Sequence, residues 1–185
     1  NMLGCHDGIP LLDLKGLLPE EEIQSLIERI VSRGGMVKNL HGQKNLYYQV
    51  NATYYSALGA SDEKMLLARA IQMFMPGKPQ VWYLDLFAGK NDHEAVRRAG
   101  ESGHKEINRT NLSTDQITEG LKKDVVQKQL ALIRMRNTHK AFSEGAEVAI
   151  SGGERSLEIR WEYNSAFATL YVNFESGTYT IVESR

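Results

Sequence analysis

The sequence predicts an α/β protein with a small antiparallel β unit at its carboxy-terminal end. Two contrasting stretches carry this. "SDEKMLLARAIQMFMPG" (61–77) has apolar residues at helical spacing and leads through Pro76-Gly77 into "PQVWYLDLF" (79–87), a run of β-formers with little alternation. Helix, short turn and a strand covered on both faces make the αβ half of a repeating α/β unit. "SLEIRWEY" (156–163) instead alternates Leu157, Ile159 and Trp161 with Glu158, Arg160 and Glu162, the period of a half-buried strand.

The elements follow in order. In "MLGCHDGIP" (2–10), Met2 and Leu3 read as the end of a buried strand. Gly8 and Pro10 break regular structure, and the proline biases Ile9 to an extended conformation. His6 and Asp7 therefore sit where a strand gives way to a loop, the place where α/β enzymes put their chemistry. "LLPEEEIQSLIERIVSRGG" (17–35) predicts a helix. Pro19 suits its first turn, Glu20, Glu21 and Glu22 favour the positive end of the macrodipole, and Gly34-Gly35 end it. Its apolar face is Ile23, Leu26, Ile27, Ile30 and Val31. A loop, "KNLHGQKN", precedes "LYYQVNATYYSAL" (46–58), dense in aromatic and amide side chains.

In the second helix Ser61 is the expected N-cap, and Leu66, Leu67, Ala70, Ile71 and Phe74 form the buried stripe. Residues 88–115 are polar and Gly-rich, a loop as long as functional loops become. A helix with a break near Gly120 follows, its main apolar face Val125, Val126, Leu130 and Ile133. Beyond Phe142 the pattern turns to β: "SLEIRWEY", a turn at Asn164-Ser165, "FATLYVNF" and "TYTIV". The expected division is 1–141 for the α/β body and 142–185 for the all-β unit.

Composition narrows the function. The 185 residues carry a net charge of −1 and are 42% hydrophobic, as in a globular chain of one domain or slightly more. With no basic excess there is no footprint for nucleic acid. No apolar run reaches the roughly 18 residues that span a bilayer, and no leader pattern opens the chain. A lone Cys5 fits a reducing, cytoplasmic compartment. Cys5 and five scattered histidines show no zinc-ligand spacing, so no metal is expected. The chain opens inside an apparent strand, as a piece of a longer polypeptide would.

Three loops hold candidate chemistry. The first holds His6 and Asp7. The second holds Tyr47, Tyr48, Gln49 and Asn51, flat and amide groups suited to sugar hydroxyls. The third holds Asn91, Asp92, Asn108 and Arg109, and an arginine there suits bidentate capture of phosphate. Taken singly, the tyrosines pack at a rim and Arg109 is a solvated loop arginine.

Together, "MLGCHDGIP", "YYQVNATYYSALG", "ARAIQMFMPGKPQVWYLDLFAGKND", "KEINRTNLS" and "LIRMRNTHKAF" resemble, in order, the carboxy-terminal third of the sucrose phosphorylases. These belong to the α-amylase superfamily of retaining glycosidases and transglycosidases. The resemblance covers residues 1–142 and implies the last portion of a (β/α)8 TIM barrel, following helices and a small antiparallel domain. It makes Asp7 the carboxylate that stabilises the oxocarbenium-like transition state and His6 a ligand of glucosyl hydroxyls, with Gly8 leaving room for the sugar ring. It places Tyr48 and Gln49 at the acceptor site and gives Arg109 to phosphate or the fructosyl part.

The implied parent reaction is phosphorolysis of sucrose or a related α-glucoside to α-glucose 1-phosphate. Inorganic phosphate is the co-substrate, and no metal or organic cofactor is needed. Leu46 stands where sucrose phosphorylases carry a fructose-binding Asp, which points to another acceptor, such as a phosphorylated sucrose or a glucosylglycerate. Retaining cleavage needs a nucleophile and an acid/base about 5 Å apart. In the family both lie upstream of these motifs, so the chain alone is expected to be inactive. The open edges of a partial barrel imply a homo-oligomer. The alternatives are a parent acting as hydrolase or transglucosidase, a non-catalytic carbohydrate-binding or assembly module, and a His-Asp metal phosphohydrolase.

Overall fold

The structure, a computed structural model, describes residues 1–37 and 49–184. In chain order the elements are β1 (Ile9–Pro10), α1 (Glu20–Ser32), β2 (Met36–Val37), β3 (Gln49–Asn51), α2 (Tyr54–Ala57), α3 (Asp62–Phe74) and α4 (Tyr83–Leu86). Then come α5 (His93–Ala99), α6 (Thr114–Gly120), α7 (Asp124–Thr138), β4 (Glu147–Gly153), β5 (Ser156–Tyr163), β6 (Ala166–Asn173) and β7 (Thr178–Glu183). Short 3₁₀ segments run over Leu12–Leu14, Gly100–Asn108 and Lys140–Phe142. Two compact units interleave along the sequence. One gathers Asn1–Met2, Glu63–Gln80 and Lys122–Arg185, the other Leu3–Asp62 and Val81–Leu121.

The second of these carries the candidate site. Helix α1 starts after Pro19, with its three glutamates in the first turn, and stops where Gly34 turns left-handed at φ 89°. Ile23, Ile27 and Ile30 are buried with Leu11, Val50 and Ala52. Leu26 and Val31, expected on the same face, are exposed, because one narrow stripe of the helix meets this small core. The sheet here is antiparallel in the order β1-β3-β2, so β3 is its central strand.

Two expected strands are not strands. Near the start, Met2 makes one isolated parallel bridge to Gln80, and Cys5 bridges Gly8. "PQVWYLDLF" continues past Gln80 into α4. Local β propensity loses here to a tertiary bond. The buried Asp85 carboxylate accepts from the backbone N–H of Tyr54 (2.8 Å) and Tyr55 (3.4 Å) at the start of α2, which helical turns in both segments bring together. The polar stretch 88–115 is also not an open loop. Asp92 caps α5 by accepting from Ala95 N at 2.8 Å, and the 3₁₀ segment follows.

A capping box between Ser113 and Gln116 starts α6. The expected break near Gly120 is present, and a Cβ there would lie 2.5 Å from the Phe87 ring.

In the other unit α3 buries Met65, Leu66, Ala70, Met73 and Phe74, but also Arg69 and Gln72, while Leu67 and Ile71 are half-buried. Arg69 Nε donates to Gln129 Oε1 of α7 at 2.8 Å, and its guanidinium also bonds Gln72. On α7 the buried residues are Val125, Val126, Gln129 and Leu132, with Leu130 and Ile133 half-buried. Each helix thus buries polar residues that apolar periodicity alone does not select, paired to one another across the two. The sheet is a plain meander, β4-β5-β6-β7, antiparallel throughout. Strand β4, absent from the sequence pattern, is mostly exposed and so lacks apolar alternation. Trp161 Nε1 of β5 donates to Phe74 O at 2.6 Å, and the Arg136 guanidinium stacks over the rings of Trp161 and Phe142.

Candidate functional site

His6 and Asp7 form the tip of a two-residue turn closed by Cys5 N to Gly8 O (3.0 Å) and Gly8 N to Cys5 O (2.9 Å). Gly8 has φ 113°, and a Cβ there would sit 2.2 Å from Val50 O. The glycine thus clears space for the backbone of β3, which corrects the expectation that it makes room for a sugar ring. Side-chain amides hold the turn from outside. Asn51 Nδ2 donates to Asp7 O and Asn108 Nδ2 to Cys5 O, each at 2.5 Å. Asn108 is in turn fixed by Trp82 Nε1, which donates to its Oδ1 at 3.1 Å.

The Asp7 carboxylate is unequally occupied. Arg109 Nη2 (2.7 Å) and Lys105 Nζ (3.0 Å) both reach Oδ1, while Oδ2 faces His6 Nε2 at 3.5 Å. Burial pushes the carboxyl pKa up. Hydrogen bonds from Lys105 and Arg109 and the Coulombic influence of His6 and Lys105 outweigh it, holding the group below the usual carboxylate value. Arg109 also donates from Nε to His6 O at 3.3 Å and lies 3.6 Å from Glu106, so both sides of the turn tip are tied to one guanidinium. The His6 ring stands 6.0 Å from that of Trp82 and is largely exposed. An ionised carboxylate with one oxygen clamped and the other loosely held can accept from a sugar hydroxyl without first losing its orientation.

Of the residues singled out by sequence, the fold brings His6, Asp7 and Arg109 into contact. Gln49 is buried in β3 opposite Pro10, on the same strand face as Asn51. Tyr47 and Tyr48 lie outside the described residues. Asp92 caps α5 and accepts from Thr110 Oγ1 at 3.0 Å, a structural role. Lys105 and Trp82 were not singled out. Lys105 left no signal in the sequence, because it reaches Asp7 from a polar stretch that reads as loop and folds as a 3₁₀ segment. Among the described residues no three His, Cys, Asp or Glu side chains converge as metal ligands. No described helix is long and apolar enough to cross a membrane.

No protein-family model matches the sequence. Individual proteins do. The sucrose 6(F)-phosphate phosphorylase of Ilumatobacter coccineus is 54% identical over 190 residues, covering 98% of this chain and 36% of that protein. This chain is homologous to part of the sucrose phosphorylases, consistent with a C-terminal fragment of that family. A sucrose phosphorylase of Agrobacterium vitis is 39% identical over 199 residues, 99% of this chain and 39% of that one. The crystal structure of sucrose 6F-phosphate phosphorylase from Thermoanaerobacter thermosaccharolyticum matches 100% of this chain and 38% of its own, with a TM-score of 0.92 at 38% identity. The chain therefore spans a little over a third of the length of the sucrose phosphorylase relatives it matches. The match establishes the expected fold class, the last portion of an α/β barrel with a small antiparallel β domain.

Proposed function

We propose that this sequence supplies the transition-state-stabilising and phosphate-facing side of a retaining α-glucoside phosphorylase. Asp7 receives sugar hydroxyls on Oδ2 and stabilises the oxocarbenium-like transition state. His6 adds a ring N–H to the same sugar. Arg109 and Lys105 attract the phosphate dianion that attacks the anomeric carbon of a covalent glucosyl-enzyme, expelling the enzyme carboxylate and giving α-glucose 1-phosphate. Tyr48 and Gln49 line the acceptor side. Inorganic phosphate is the co-substrate, and no step requires a metal or organic cofactor.

The observation that carries the reading is the pair of cations on Asp7 Oδ1. Two cations beside the stabilising carboxylate are suited to receiving a phosphate dianion, which supports a phosphorylase over a hydrolase. The acceptor we propose is sucrose phosphorylated on its fructosyl part. Leu46 in place of the fructose-binding Asp supports it, as does the 54% identity to a sucrose 6(F)-phosphate phosphorylase.

The test is α-glucose 1-phosphate release from sucrose 6F-phosphate and from sucrose, using the longest polypeptide that carries this sequence. Phosphate-dependent release with preference for the phosphorylated sugar is expected. Free glucose formed irrespective of phosphate would make the parent a hydrolase, and preference for sucrose would overturn the acceptor.

A further inference from the structure

An open surface cavity of about 380 Å³ is lined by Arg33, Ser56, Gly59, Lys90, Asn91 and His93, none of which belongs to the Asp7 cluster. It contains Lys90 and Asn91 of the third loop, which the Asp7 site does not use. Among the described residues no acidic side chain lines it. Arg33 Nη1 donates to Ala57 O at 2.5 Å, which lays the guanidinium against Gly59, where a Cβ would stand 3.6 Å from Arg33 Cζ. Among the described residues neither Arg33 nor Lys90 has a carboxylate partner, unlike Arg98, Arg109, Arg155 and Arg160. His93 closes the other side, its Nε2 2.9 Å from where a Gly34 Cβ would sit.

The floor is the informative part. Asn91 Oδ1 accepts from Thr53 N (2.8 Å) and lies 3.4 Å from Thr53 Oγ1, which fixes the amide plane. Asn91 N donates to Ser56 Oγ at 2.9 Å. The Asn91 Nδ2 atom, so oriented, is buried and has no acceptor among the described residues. A buried donor held in place without a partner is costly to keep unless something supplies the acceptor. Two permanent cations and a fixed amide N–H offer donors only, beside an imidazole that can donate or accept, and the volume is in the range of small-molecule sites, about 300–1,000 Å³.

We propose that this cavity binds a phosphate group, either the free dianion or the phosphomonoester of a hexose. Arg33 supplies the planar fork, Lys90 the point charge and Asn91 Nδ2 the neutral donor that fixes orientation. The inference rests on the donors of this cavity alone and stands whether or not the Asp7 site is a phosphorylase centre.

The test follows the His93 ring resonance, assigned by His93→Gln, as inorganic phosphate or α-glucose 1-phosphate is added to the full chain. Saturable movement is expected with at least one of them, and which one moves it tells free phosphate from ester. Arg33→Met/Lys90→Met should weaken binding about tenfold or more, and Arg109→Ala should leave it intact. Both changed side chains are exposed, and Lys90→Glu alone gives the same reading should the double variant fail to fold. A His93 resonance unmoved by either ligand across the millimolar range overturns the proposal. So does binding that survives the loss of both cations, or that vanishes with Arg109→Ala.

Discussion

The guanidinium of Arg109 donates to the carboxylate of Asp7 at 2.7 Å, joining residues 102 positions apart in the sequence. The same guanidinium reaches the His6 carbonyl, so the 3₁₀ segment that ends at Asn108 locks the tip of the His6-Asp7 turn. The geometry of the Asp7 carboxylate therefore depends on a distant segment as much as on its own turn.

In the active parent, Asp7→Asn should lower kcat by about two powers of ten or more while changing substrate KM little, because the lost contact strengthens only in the transition state. Arg109→Ala should raise the apparent KM for phosphate about tenfold and spare glucosyl transfer to water. Steady-state kinetics with phosphate varied distinguish the two. An unchanged kcat in Asp7→Asn removes Asp7 from the site, and equal loss of phosphorolysis and hydrolysis in Arg109→Ala makes that residue structural.

Acid stability should report the same cluster. The Asp7 carboxyl is held below its ordinary value of 3.8, so the folded protein binds this proton less readily than the unfolded chain. Its stabilisation is present in full above the unfolded value, about 4, and is lost as pH falls through the lower folded one. The Tm gap between wild type and Asp7→Asn should be widest above about pH 4 and close on further acidification. A gap that is constant with pH would mean the Lys105 and Arg109 contacts contribute nothing to folding.

Gly8→Ala should destabilise the chain by about 2–4 kcal/mol, since a methyl must enter the space of Val50 O at a left-handed φ. Gly16→Ala, at φ 83° with nothing within 4 Å, isolates the φ cost alone and should lose only about 1–2 kcal/mol. Urea midpoints of the two variants measure the difference. Equal losses would show that β3 yields to the methyl group.

Trp161→Phe keeps an aromatic ring but removes the donor to the Phe74 carbonyl, leaving a buried acceptor unpaired. A loss of about 1–3 kcal/mol is expected by denaturant titration. No change in the midpoint would mean that water or another group replaces the indole N–H.

By itself the sequence determined what local rules control. Pro19 and the three glutamates start α1, Gly34 ends it, Gly120 breaks the later helix, and the alternation through Trp161 reads out β5 to β7. The His6-Asp7 turn was legible for the same reason, since glycine and proline restrict the backbone wherever they stand. The tertiary structure decided the rest. Asp85, in the helical turn Tyr83–Leu86 of "PQVWYLDLF", bonds the first amides of α2, Arg69 and Gln129 bridge two helices through their buried faces, and β3 is what requires Gly8. Lys105 joins the candidate site only because the chain folds it onto Asp7. Each of these turns on one polar or steric contact between distant residues, and such contacts leave no periodic trace along the chain.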